Sequence, residues 1–211
     1  MRTASHALPE LDPGVTLLDS TDRSTVAALV AAAVERRDGP ARWVDARNHA
    51  SAFALAEAGR THRVLDEVVV ARAFTAHQHH ALVRQLVADA RRPTSLVVAP
   101  AVDDLYRDDD LLDAEADRLR AASLSTLAAL ADARDVPVVV TATDRDAVAE
   151  YVDRELDVTE TAFGPRFDGD DAETTAYWTR GGWQTTIPYW VDLVGAVDAA
   201  PPVAPHTEVV A

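Results

Sequence analysis

The sequence predicts an α/β domain: a mostly parallel sheet flanked by helices, with antiparallel strands at its C-terminal end. Three observations predict it. Short, continuously apolar runs recur, as in Val68-Val69-Val70-Ala71, Leu96-Val97-Val98-Ala99 and Pro137-Val138-Val139-Val140. Helix-like stretches of roughly 10–20 residues separate them, the spacing of crossovers in a sheet covered on both faces. After Leu156 the pattern changes to short strand-like runs around Arg180-Gly181-Gly182, a hairpin signature.

The elements follow in order. Residues 1 to 13 read as a flexible polar lead-in that ends at Pro13-Gly14. Val15 to Leu18 is the first strand, and the Ala-rich stretch Ser24 to Arg37 the first helix. Arg42 to Val44 is a strand and His49 to Ala58 a helix. Val68 to Ala71 is a strand and His77 to Ala90 a helix. Leu96 to Ala99 leads to a long helix, Leu112 to Ala133, with Leu119, Leu124, Leu127 and Leu130 along one side. Pro137 to Val140 is the next strand, and Arg145 to Arg154 reads as a helix. Glu160 to Arg166, Thr174 to Thr179 and Trp183 to Ile187 read as antiparallel strands. The domain is expected to span residues 14–198, with a Pro-rich tail over 199–211.

Composition narrows the function classes. A chain of 211 residues with 48% apolar content can bury a sizeable core. Its net charge is −15, all 20 basic residues are Arg, and Asp outnumbers Glu by 25 to 10. Such self-repulsion is screened in concentrated salt, so the balance points to a halophilic protein. The acidic surface then reads as a solvent adaptation rather than as a site for a basic partner. There is no Cys, which excludes disulfides, thiolate metal sites and Cys nucleophiles. No apolar run approaches the roughly 18 residues of a membrane span, and residues 1–12 lack the apolar core of a signal peptide. A cytoplasmic location with no membrane contact is expected.

Three stretches taken together carry a family resemblance. They are Val68-Val69-Val70-Ala71-Arg72-Ala73-Phe74 with His77-Gln78, Ser95-Leu96-Val97-Val98 leading to Leu105-Tyr106-Arg107, and Leu127 to Ala131 followed by Val136 to Thr141. In order and spacing, residues 14–145 resemble the ATPase core of the RecA/RadA recombinases, a P-loop fold. The resemblance implies a RecA-like sheet and a nucleotide site. In that family a Gly-rich loop wraps the phosphates, its Lys neutralises them, and the following Ser/Thr holds Mg²⁺. A Glu activates water and an Asp supports the metal.

This sequence departs from the pattern at each such position. The first loop, Asp19-Ser20-Thr21-Asp22-Arg23-Ser24-Thr25, contains no Gly. Ser24 stands at the Lys position and only Thr25 fits. Asp19 and Asp22 place negative charge where phosphate would lie. The Glu position falls on Arg47, which stays protonated, and the Asp position on Pro100, which has no ligand atom. Thr141-Ala142-Thr143 lacks the polar pair of the family's sensor. The resemblance thus implies a degenerate nucleotide site at Asp19, Asp22, Arg23, Ser24, Thr25, Arg47 and Pro100. Arg23 and Arg47 are left as candidates to attract an anion near this loop, a solvated arginine being the simpler reading of each. No catalytic residue, cofactor or metal is expected, and the chain reads as a pseudo-ATPase. The loop Arg107-Asp108-Asp109-Asp110 is acidic where the family is basic, which argues against direct DNA binding through it.

Other constellations carry less. His77, His79 and His80, with Asp103, Asp104 or Asp108, lack a metal-ligand spacing, so a capping and surface role is expected. Phe53-Ala54-Leu55-Ala56 matches a recombinase polymerisation motif but falls within a predicted core helix, where a chance match is the simpler reading. Tyr177, Trp178, Trp183, Tyr189 and Trp190 are dense aromatics that either pack the hairpin onto the sheet or form a binding surface. The expectation is a non-catalytic RecA/RadA-like scaffold or regulator in recombination or repair, with a protein partner, a recombinase being one candidate. The alternative is a module binding single-stranded DNA or a recombinase through that aromatic hairpin.

Overall fold

The computed structural model describes residues 8–20, 22–59, 61, 63–89, 93–161, 164–169, 172–173, 176–179 and 182–185. Its strands are β1 (Gly14–Asp19), β2 (Ala41–Ala46), β3 (Val68–Ala73), β4 (Leu96–Ala99), β5 (Pro137–Val140), β6 (Arg154–Thr161), β7 (Gly164–Gly169), β8 (Ala172–Glu173), β9 (Ala176–Thr179) and β10 (Gly182–Thr185). Its helices are α1 (Arg23–Arg36), α2 (Ala52–Ala58), α3 (Arg63–Asp66), α4 (Ala76–Asp89) and α5 (Asp113–Arg134). The main sheet runs β3-β2-β4-β5-β1-β6-β7-β8. Its pairs are parallel from β3 through to β6, and β7 and β8 join antiparallel.

The Val-rich strands β4 and β5 sit at the centre with both faces covered, whereas the Val-rich β3 lies at the edge of the sheet. Along β5, Val138 and Val140 join one core while Val139 joins the other. The first core takes α1 through Val26, Leu29, Val30 and Val34, with Leu55 of α2 and Val64 of α3. The second takes Val83 and Leu86 of α4 and Leu124, Leu127 and Leu130 of α5. Residues 8–13 are held against α1, where Leu11 is buried and Arg37 Nη2 donates to the Leu11 carbonyl (2.6 Å).

Local chemistry moves some boundaries. The second helix begins at Ala52 rather than His49. The Asp45 carboxylate takes the N–H groups of His49 and Ala50, and Ser51 Oγ caps Ala54 N–H. Thr75 Oγ1 accepts from Gln78 N–H, while the Gln78 side chain accepts from Phe74 N–H, a variant of the capping box that starts α4.

The helix expected over 145–154 does not form. Asp144 Oδ1 accepts from Ala147 N–H, only Ala149–Tyr151 make a short 3₁₀ turn, and Val148 is buried. The Asp153 carboxylate then takes Val15 N–H (2.7 Å), and β6 starts at Arg154, parallel to β1. The strand expected over 160–166 is the end of β6 and the start of β7. Phe53 is 73% exposed rather than core, because α2 turns only Leu55 inward.

Candidate functional site

In an open α/β sheet, ligands bind in the crevice beyond the C-terminal strand ends, where neighbouring connections leave to opposite faces. Here β1 leads to α1 on one face and β4 leads to α5 on the other. A cavity of about 210 Å³ lies at that point, its wall including Ser20, Asp22, Arg23, Pro100 and Thr143. Trp43 also lines it; this indole is buried, and its N–H has no hydrogen-bond partner among the described residues. The sequence-predicted residues Asp22, Arg23 and Pro100 therefore do converge.

The start of α1 is satisfied from within. Asp22 is its N-cap, and the carboxylate accepts from Thr25 N–H (2.9 Å), the Thr25 hydroxyl (3.0 Å) and the Ser24 hydroxyl. A helix N-terminus is an anion site, and here the anion is a side chain of the same chain. Desolvation raises the Asp22 pKa, but the hydrogen bonds from Ser24 and Thr25 outweigh it and hold the carboxyl below its ordinary value. Thr25 is buried, with its hydroxyl committed to Asp22. Asp19, at the end of β1, pairs with Arg145 (2.9 Å), which also engages Glu155.

The loop after β2 is strained and braced. Arg47 and Asn48 are both left-handed, with φ of 56° and 62°, which costs energy in residues bearing a Cβ. Asp45, fully buried, holds them there through its bonds to the His49 and Ala50 amides and to Arg72 Nε (2.8 Å). Arg47 does not reach toward an anion: it pairs with Asp104 (2.9 Å) and Asp108, and those carboxylates, Asp108 foremost, raise its pKa. These two contacts engage the Arg47 guanidinium within the chain. Arg23 makes no ion pair among the described residues, and it is one of the groups, after burial, that lower the pKa of His49.

The loops after β4 and β5 are tied to each other. Ala101 N–H donates to Thr141 Oγ1 (2.8 Å), and Val102 N–H to the Thr141 carbonyl (2.9 Å). Asp103, fully buried, accepts from Thr143 N–H and Asp144 N–H, both at 2.9 Å. Pro100 is buried beside them. At the positions the resemblance assigns to a nucleotide, the helix N-terminus holds the Asp22 carboxylate, Ser24 donates to that carboxylate, Arg47 is engaged by Asp104 and Asp108, and the Pro100 side chain has no ligand atom.

His77 is exposed at the start of α4, as the sequence leads one to expect, but His79 is not. His79 is fully buried because it shares the inner face of α4 with Ala76, Val83 and Leu86. Its Nδ1 lies 2.7 Å from Tyr106 Oη, Tyr106 Oη lies 2.8 Å from Ser123 Oγ, and Ser123 Oγ lies 3.0 Å from His80 Nδ1. Burial, reinforced by His80, pushes the His79 pKa down to about 4; burial pushes the Tyr106 hydroxyl up to about 12. Ser123 is fully buried and joins the Tyr106 hydroxyl to His80. Among the described residues no group of His, Asp and Glu has the arrangement of a metal site.

In the C-terminal pair, β9 and β10 run antiparallel, and Trp183 is the register partner of Trp178 and Gln184 that of Tyr177. Arg180, Gly181, Tyr189, Trp190 and the tail over 199–211 lie outside the described residues. Among the described residues, no helix is long and apolar enough to cross a membrane. No protein-family model matches the chain, and no characterised protein matches it in sequence.

Proposed function

We propose that the chain is a non-catalytic RecA/RadA-like protein that acts as a scaffold or regulator, with recombination or repair as the setting that the resemblance implies. The observation that carries this reading is the Asp22 carboxylate on Thr25 N–H, where the resemblance puts a bound phosphate. The engagement of Arg47 by Asp104 and Asp108 supports it from the opposite wall. The test is an assay of Mg²⁺-dependent ATP hydrolysis on the purified full chain in concentrated KCl. No turnover above the buffer rate is expected; turnover abolished by Thr25→Ala would sink the reading.

A second reading rests on the opposed Trp178 and Trp183 of the hairpin. Paired aromatics are the currency of interface hot spots and of base stacking. On this reading the hairpin binds single-stranded DNA or a recombinase, and Trp183→Ala or Trp190→Ala weakens binding without unfolding the chain. Unchanged affinity in both variants for labelled oligo-dT and for a purified RadA-type recombinase would remove it.

A further inference from the structure

Strand β3 is an outer strand of the main sheet and pairs only with β2 among the described residues. Its other edge carries backbone N–H and C=O groups in a run of β-branched and small residues, Val68 to Ala73. Edge strands are usually blunted by Lys, Pro, a bulge or an outward charge. None of these is present here, and the one charge of the strand, Arg72, is turned back onto buried Asp45 (2.8 Å). Val69 and Val70 are 50% and 41% exposed, and Phe74, next along the chain, is 68% exposed.

The charge pattern selects the occupant. The chain has a net charge of −15, yet residues 63–75 contain only Arg63, Asp66, Glu67 and Arg72, which sum to zero. Arg63 also pairs internally, with Glu67 (3.6 Å). Nucleic acid needs a basic surface and a basic protein needs an acidic one; this strip offers neither. Two copies of an acidic chain repel each other least where the local charge cancels. An antiparallel two-fold pair of identical strands satisfies each copy's edge with the same residues of the other.

The geometry points to a homodimer joined through β3 of each copy, the two sheets becoming continuous and Val69, Val70 and Phe74 covered. This inference does not depend on the recombinase resemblance. An antiparallel pair whose two-fold axis passes beside Val70 brings Val70 of one copy against Val70 of the other, so like charges placed there repel.

The test is light scattering on the full chain in concentrated KCl, with Val70→Asp, Val69→Asp on the opposite face of the strand, and Val87→Asp on α4 as a control. The wild type and the control are expected at twice the 22.7 kDa chain mass. The β3 variants are expected at half the wild-type mass, with unchanged circular dichroism. If one β3 variant fails to fold, the other decides. A wild-type monomer, or a dimer that survives the β3 substitution, overturns the proposal. So does a monomer whose β3 amides resist hydrogen exchange, because the chain's own residues beyond 185 would then cover the edge.

Discussion

The crevice at the C-terminal strand ends and the β3 edge treat their polar groups in opposite ways. In the crevice, the Asp22 carboxylate caps α1, Arg47 is held by two carboxylates, and Asp103 takes two loop amides. At the edge, a row of backbone groups and two valines face outward with no partner among the described residues. A sheet of this kind has two places to meet other molecules, its switch-point crevice and its open edges. In the crevice most polar groups are engaged by the chain's own side chains, the Trp43 N–H and Arg23 being the exceptions; at the edge the outward backbone groups of β3 have no partner among the described residues.

The contrast can be broken by substitutions of decreasing severity. Arg72 joins the two regions, because it stands on the edge strand and braces the crevice through Asp45. Arg72→Met leaves a buried carboxylate without its cation, and an unfolding free energy lower by about 3–4 kcal/mol is expected in a urea titration. An effect below about 1 kcal/mol would mean that the amides of His49 and Ala50 alone support Asp45.

His79 belongs to neither region and supplies the pH dependence. Its folded pKa, about 4, lies below the ordinary 6.5, so the neutral form is favoured in the fold. Its contribution is fully present above pH 6.5 and is lost as the pH falls from there toward 4. The loss reaches at most about 3 kcal/mol, and His79→Gln should flatten that limb of a stability–pH profile.

Asp22→Ala removes the internal anion of α1 and should cost about 1 kcal/mol, the usual worth of an N-cap. Because the Asp22 pKa is lowered from 3.8, this share persists until the pH drops through that value. Thermal unfolding of the variant at neutral pH and near pH 3 checks both statements, since the difference from wild type should shrink in acid. Val70→Asp has the smallest expected effect on the fold of the single chain, below about 1 kcal/mol at a half-exposed strand position, and therefore separates edge chemistry from stability.

Much of this was legible in the sequence. The Val runs placed β3, β4 and β5, and the leucine spacing placed α5; continuous burial accounts for β4 and β5, whereas the valines of β3 lie half-exposed at an edge. The β1–α1 loop was also readable: the absence of Gly and the presence of Asp22 before Ser24 and Thr25 already describe a helix cap. What was not legible depended on distant partners. Arg47 looked free until the fold brought Asp104 and Asp108 to it from 57 and 61 residues away. Asp153 ended a predicted helix because its carboxylate meets the amide of Val15, 138 residues away. His79 had a local signal that went unused, its i, i+4 spacing to buried Val83. The strained Arg47–Asn48 pair followed from Asp45, a buried acid that composition alone marks as unremarkable surface charge.

The most direct test of the internally capped crevice is titration calorimetry of Mg²⁺-ATP into the full chain in concentrated KCl. The account predicts no saturable heat at concentrations up to about 1 mM, the weak end of useful affinity. A saturable one-to-one isotherm that Thr25→Ala weakens would contradict it, because it would mean that the Asp22 carboxylate yields its place to phosphate.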